Sequence, residues 1–242
     1  MKPNRKVLFA IAALVFAALA CQAVSGGGQD TPTGDSTQPP IDIPQPTIEI
    51  PPLFGSDVLL EDDFSSASWG TGTDADSSVE YVDEALQFIV FTDNYFVWST
   101  PDDEDYSDVH LEVTVLNNST DPNTAFGLIC NMQITDVSYY FAITFNGKYA
   151  IAKSMLALDD VFLTNDDAWA ESDLIPQNAS SYRVGADCGS DGRLTLYING
   201  QQIDSVVDTD YTSGNVALFA WSGDEPAGAN VAFDDFELKE LP

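Results

Sequence analysis

Residues 181–207 read SYRVGADCGSDGRLTLYINGQQIDSVV. Three runs of alternating apolar and polar side chains are separated by two turn signals, Gly189-Ser190-Asp191-Gly192 and Asn199-Gly200. A period of two sends successive side chains to opposite faces of a ribbon, which is the pattern of strands and not of helices. Asn-Gly between such runs fits the two-residue hairpin turn, whose two central positions need positive φ. The stretch is therefore predicted to be a three-strand meander: Ser181–Cys188, Arg193–Asn199 and Gln202–Val207.

The same signature extends outward. Ser138–Phe145 and Lys148–Ser154 flank Asn146-Gly147, and Leu111–Val115 alternates across two faces. Further strands are predicted at Val79–Tyr81, Leu86–Phe91, Phe96–Ser99, Thr124–Met132, Val216–Ala220 and Ala229–Lys239. Leu156–Trp169 is the least regular part and reads as a long loop with one short strand. Helical periodicity is nearly absent. So many short strands between Val58 and Pro242 imply one all-β sandwich or barrel, not an α/β fold.

The N-terminus is of another kind. Lys2, Arg5 and Lys6 precede an uncharged apolar run, Val7–Ala20, which fits the hydrophobic region of a secretory signal. It is short for a membrane span, which takes roughly 20 apolar residues. Its end, Ala18-Leu19-Ala20-Cys21, resembles a bacterial lipobox, although that pattern prefers Leu at the position of Ala18. The resemblance implies lipidation at Cys21 and anchoring of residue 21 onward to the outer face of a membrane. The alternative is an ordinary signal cleaved near Ala20. Both send the chain out of the cytoplasm. Residues 22–57 carry Gly26-Gly27-Gly28, Pro39-Pro40, Pro44, Pro46 and Pro51-Pro52, a composition that reads as an extended tether.

With Cys21 set aside, Cys130 and Cys188 remain. In an oxidising compartment a single pair is most simply a disulfide, the alternative being two buried thiols. Eight Lys and Arg against 39 Asp and Glu give a formal charge of −31, and the leader removes three bases and no acid. Such a surface repels nucleic-acid phosphates and anionic headgroups. Its plainest role is solubility and salt tolerance outside the cell.

Several segments together resemble a known family. They are the opening Leu60-Glu61-Asp62-Asp63-Phe64 with Trp69, then Phe126-Gly127-Leu128-Ile129-Cys130, Tyr139-Tyr140-Phe141-Ala142-Ile143 and Leu194-Thr195-Leu196-Tyr197-Ile198-Asn199-Gly200-Gln201. The closing segment is Val231-Ala232-Phe233-Asp234-Asp235-Phe236-Glu237-Leu238. Their order is similar to the concanavalin A-like lectin/glucanase superfamily, in its laminin G-like jelly-roll form. The resemblance implies two stacked antiparallel sheets over about residues 58–242, with first and last strands side by side. It implies no single activity, since members include lectins, adhesion modules and glycosidases.

Catalysis finds little support. The Glu-x-Asp-x-x-Glu strand of the family's glucanases has no match, and the acids cluster in runs such as Asp102-Asp103-Glu104-Asp105 and Asp159-Asp160. His110 is the single histidine and falls on a strand face. Calcium fits the resemblance better, and Asp62, Asp63, Asp234 and Asp235 are candidate ligands if the terminal strands pair, since hard cations take clustered oxygens. Strand alternation limits each adjacent pair to one side chain per face. Sugar binding would use aromatic platforms, for which Trp169, Trp98, Trp221, Tyr139 and Tyr95 are candidates. Trp169, in a polar loop beside Asp166-Asp167, is the one expected to be exposed; Trp98 and Trp221 sit in strand patterns that usually pack inward. Asn118-Ser119-Thr120 and Asn178-Ala179-Ser180 match glycosylation sequons, without consequence in a bacterial-type lipoprotein. The leading functional expectation is an envelope-anchored, non-catalytic module binding a glycan or another surface. The alternatives are a structural component of the envelope and a glycoside hydrolase-like enzyme.

Overall fold

The computed structural model describes residues 57–223 and 229–242. The leader, Cys21 and the tether up to residue 56 lie outside the described residues. The first eight strands are β1 (Val58–Asp62), β2 (Gly72–Thr73), β3 (Ser77–Val82), β4 (Ala85–Val90), β5 (Phe96–Ser99), β6 (Val109–Asn117), β7 (Ala125–Ile134) and β8 (Val137–Thr144). The rest are β9 (Lys148–Ser154), β10 (Val161–Phe162), β11 (Ala170–Glu171), β12 (Ser181–Cys188), β13 (Arg193–Ile198), β14 (Gln201–Val207), β15 (Asn215–Trp221) and β16 (Asn230–Glu240).

They form two antiparallel sheets. The larger runs β14-β13-β12-β6-β16-β4-β3-β2, with β1 also on β16; the smaller runs β10-β9-β8-β7-β15-β5, with β11 also on β9. The 181–207 meander forms as expected, and the terminal strands pair through Leu60↔Leu238 and Asp62↔Phe236. The architecture is a two-sheet jelly-roll sandwich.

The interior follows from alternation. Leu111, Val113 and Val115 of β6, Val184 and Ala186 of β12 and Phe233 of β16 are fully buried. They share one core with Phe126 and Leu128 of β7 and Phe141 and Ile143 of β8. Facing apolar side chains from two sheets make the dry layer that holds a sandwich together. Cys130 on β7 and Cys188 on β12 are bonded through this layer, so the disulfide links one sheet to the other. Trp69 packs edge-on against Phe236 at 5.0 Å, and its indole Nε1 donates to Asp62 Oδ2 at 3.1 Å.

The two Asn-Gly turns differ. At Asn199-Gly200 both residues have positive φ, 50° and 74°, as the two-residue turn requires. At Phe145-Asn146-Gly147 only Gly147 does (92°), and three residues separate β8 from β9. The second is therefore a three-residue loop, a form in which one left-handed residue suffices. It frees the Asn146 side chain for other work.

Gly127 on β7 has no room for a side chain: a Cβ there would stand 1.9 Å from the Phe141 carbonyl oxygen. Gly127→Ala is expected to cost more than about 2 kcal/mol, read as a shift of the urea midpoint, because backbone must move to admit the methyl. Replacing Cys130 and Cys188 together by Ser is expected to lower unfolding free energy by about 2–5 kcal/mol. Reductant should reproduce that loss in the wild type and leave the double variant unchanged.

Candidate functional site on the outward face of the smaller sheet

In the smaller sheet the side chains that point away from the core are large and apolar where solvent-facing positions are usually polar. Phe96 and Trp98 project from β5, where Ser99 is turned inward and buried. Across the ladder Phe219 is opposite Trp98 and Trp221 opposite Phe96. Ile129 of β7, Tyr140 and Ala142 of β8 and Ala152 of β9 complete a second apolar cluster, with Trp98, Met132, Phe162 and Trp169 packed against it.

The rings are organised. Phe96 stacks on Phe219 at 4.6 Å, and Tyr140 meets Phe219 edge-on at 5.8 Å. Trp169 stacks on Trp221 with centroids 6.1 Å apart and planes 20° from parallel. The loop that brings Trp169 there is folded by its own polar groups: Asn165 Nδ2 donates to the Trp169 carbonyl at 2.7 Å, and Phe162 N–H donates to Asp167 Oδ1 at 2.8 Å. Phe162 meets Trp169 edge-on at 5.2 Å. Trp169 is thus half-buried rather than freely exposed.

Two clefts open on this face and share Trp221. One, of about 480 Å³, is lined by Phe96, Trp98, Tyr140, Met132, Leu158 and the carboxylates Asp136 and Asp160. Tyr140 donates to Asp160 Oδ2 at 2.9 Å. Burial, then the charge of Asp160, pushes the Tyr140 phenol up, so it remains a donor. The other, of about 440 Å³, is lined by Asn94, Asn123, Thr144, Asn146, Lys148, Trp169 and Trp221. Its polar groups orient one another: Thr144 Oγ1 donates to Asn146 Oδ1 at 2.6 Å, and Asn146 Nδ2 donates to Asn123 Oδ1 at 2.8 Å. Flat ring faces beside fixed amides and hydroxyls match a sugar, which presents an apolar ring face and a polar rim.

Of the five aromatic candidates, Trp98, Trp169 and Trp221 come together here. Tyr139 does not. It is fully buried between the sheets, its hydroxyl donating to Asp208, and Asp210 N–H and Tyr211 N–H donate to that hydroxyl at 3.1 and 3.2 Å. Its neighbour Tyr140 holds the outward place, because Tyr139, Phe141 and Ile143 share the core phase of β8. That phase was readable from the bulky residues at 139, 141 and 143 against the small ones at 142 and 144. Tyr95 is half-buried against the main core, with Tyr95 N–H donating to Ser222 Oγ at 3.1 Å; it is a packing residue. Phe96, Tyr140, Phe219 and the amide–lysine group were not singled out by the sequence pattern.

Of the four aspartates of the terminal strands, Asp62, Asp63 and Asp234 accept local hydrogen bonds where the strands pair. Asp62 accepts from Phe64 N–H, Ser68 Oγ and Trp69 Nε1, and Asp63 accepts from Ser65 N–H. Asp234 accepts from Asp235 N–H at an irregularity where Asp235 takes φ 49°. Burial first, and then the charges of Asp235, Asp63 and Glu84, pushes the Asp234 carboxyl up. Among the described residues no group of three or more His, Cys, Asp or Glu side chains is placed to hold a metal ion.

His110 lies on the outward face of the larger sheet. Its Nδ1 is 2.6 Å from Asp187 Oδ1, and Tyr197 OH donates to Asp187 Oδ2 at 2.6 Å. The ring lies over Gly185, and burial, then Asp187, pushes the Tyr197 phenol up to about 12.

No family model matches the chain, and no curated protein matches it in sequence. Solved structures share its fold. Carbohydrate binding module CBM66 from Bacillus subtilis is similar over 73% of this chain and 98% of its own, at 16% identity and TM-score 0.55. A Bacillus subtilis protein of unknown function with a galectin-like fold aligns over 76% and 96%, at 12% identity and TM-score 0.56. BuGH16Bwt aligns over 76% and 92%, at 10% identity and TM-score 0.57. At such identities the likeness shows the fold alone, a two-sheet jelly-roll sandwich, and leaves function to the residues of this chain.

The buried Tyr139 network carries a pH signature. Lys153 Nζ lies 2.7 Å from Asp208 Oδ2 and 2.7 Å from Asp210 Oδ2. Burial works against the charge of Asp208, but the hydrogen bonds from Lys153 and Tyr139 outweigh it and hold the carboxyl below its ordinary value. A lowered carboxyl stabilises the fold above its unfolded pKa, near 4, and that stabilisation disappears as pH falls through the folded value. Thermal melts from pH 6 to pH 2.5 should show wild type losing melting temperature faster than Asp208→Asn, which starts lower and declines less.

Proposed function

We propose that this domain is a non-catalytic carbohydrate-binding module, displayed at the cell envelope on the 22–57 tether and held there through lipid on Cys21. The observation that carries the reading is the stacked pair Trp169–Trp221, set between an aromatic cleft and an amide-rich one on the outward sheet face. Partly exposed rings held rigidly by neighbours bind with little entropic cost, because their geometry is set before the ligand arrives. The carbohydrate-binding module among the similar structures supports the same class of ligand. The leader's charge and apolar pattern, with Ala18-Leu19-Ala20-Cys21, supports export and lipidation.

The test is a glycan array probed with residues 58–242, followed by calorimetry on the best binder. Trp221→Ala is expected to weaken binding at least about tenfold, roughly 1.4 kcal/mol, with an unchanged melting temperature. Absence of any glycan signal from the folded wild type would sink the reading. Release of shorter sugars on prolonged incubation, lost in Asp160→Asn, would instead make the cleft with Asp136 and Asp160 a hydrolytic one. Mass measurement of the mature N-terminus checks Cys21, and an unmodified cysteine overturns the anchor.

A further inference from the structure

Positive charge is scarce in this chain, and its distribution is uneven. Five Lys and Arg residues lie among the described residues. Three are ion-paired: Lys153 with Asp208 and Asp210, Arg183 with Glu112, and Lys239 with Glu237. Arg193 stands exposed on β13, away from either cleft. Lys148 is half-buried, lines the amide-rich cleft beside Trp169 and Trp221, and forms no ion pair among the described residues. Carboxylates are close at hand. Glu171 is directly opposite it in the β11–β9 ladder, and Asp166 and Asp167 precede Trp169 in the adjoining loop. Among the described residues, the Lys148 ammonium lines a cleft and has no carboxylate within 4 Å.

The two clefts differ in sign across Trp221. Among the described residues, the amide-rich cleft has Lys148 and no carboxylate in its wall, and the aromatic cleft has Asp136 and Asp160 and no cation. A ligand crossing Trp221 meets positive charge on one side and negative on the other. An anion near Lys148 gains a charge-assisted hydrogen bond in a partly desolvated setting. A second anion on the far side would face two carboxylates, with like-charge repulsion.

The geometry points to an oligosaccharide bearing a single acidic group as the ligand, with its carboxylate or sulfate on Lys148 and its neutral sugars across Trp221 in the aromatic cleft. This rests on the carbohydrate reading above and adds the charge, its number and the direction of the chain. It also reconciles an acidic surface with an anionic ligand: overall repulsion rejects polyanions, while one local cation admits one charge.

The experiment uses residues 58–242 and matched oligosaccharides printed on one array. Each set holds a neutral oligosaccharide, the same backbone with one uronic acid, the same backbone with one sulfate, and an oligogalacturonate charged at every unit. The singly acidic members should bind about tenfold more tightly than their neutral partners, the worth of a hydrogen bond to a charged group. Oligogalacturonate should bind more weakly than either singly acidic member. The uronate and sulfate arms separate the two sources of charge. Lys148→Gln should bring the acidic-to-neutral ratio close to one, Lys148→Arg should keep it well above one, and Trp221→Ala should remove binding of both kinds. Neutral members binding as tightly as singly acidic ones, a ratio unmoved in a folded Lys148→Gln, or oligogalacturonate binding best would each overturn the proposal while leaving the module a carbohydrate binder. A folded wild type that binds no glycan overturns both.

Discussion

The structure depends on the exclusion of water from between two sheets. Each strand has one apolar face, and neither sheet can bury that face alone. β6, β12 and β16 on one side and β7, β8 and β15 on the other supply facing side chains that leave no accessible surface. The Cys130–Cys188 bond spans this layer and fixes β7 against β12, and Tyr149 OH on β9 adds a hydrogen bond to Asp204 on β14. Tyr139 and Lys153 do related work at one end of the layer, where Asp208 and Asp210 bring the segment after β14 back onto β8 and β9.

A rigid interior sets the outward face. Strands held in register by their buried side chains project the intervening residues at fixed spacing, so Phe96, Trp98, Phe219 and Trp221 form an ordered surface without a loop to arrange them. Gly127 adds to this by letting the Phe219 ring lie close over β7. Trp169 comes from a loop tied by Asn165 and Asp167, stacks on Trp221 and lines the amide-rich cleft. Binding on such a surface is a matter of rigid placement, which a sandwich supplies well.

Charge completes the picture at a different scale. The excess of acid keeps the domain soluble and repels anionic polymers at long range. Among the described residues that line the amide-rich cleft, the charged side chain is a lysine. Long-range repulsion and short-range attraction act over different distances, and together they discriminate by the number of charges on a ligand as well as by their sign.

Much of the fold was legible in the residues. The alternation in 181–207, the spacing of the turn signals and the similar opening and closing segments pointed to strands, a sandwich and paired termini, because side-chain period and turn chemistry are local properties. The phase of some strands was less plain. Tyr139 and Tyr140 are adjacent and alike, and their phase rests on the larger residues at 141 and 143 against the small ones at 142 and 144, which burial in the structure bears out: the first is core and the second faces the cleft. Asn146-Gly147 carries a two-residue turn signature, yet the register of β8 with β9 makes it a three-residue loop and sends Asn146 into the amide network. Asp62 accepts from the Trp69 indole seven residues on, a partner that the acidic run itself does not announce. The sequence by itself determined the elements, the sandwich class and the aromatic residues available for a site. Only the tertiary structure decided which aromatics share a face, which acids are spent on turns and that Lys148 stands beside Trp221. Those are distances between strands far apart in the chain, set by packing across the whole core and not by any local run of residues.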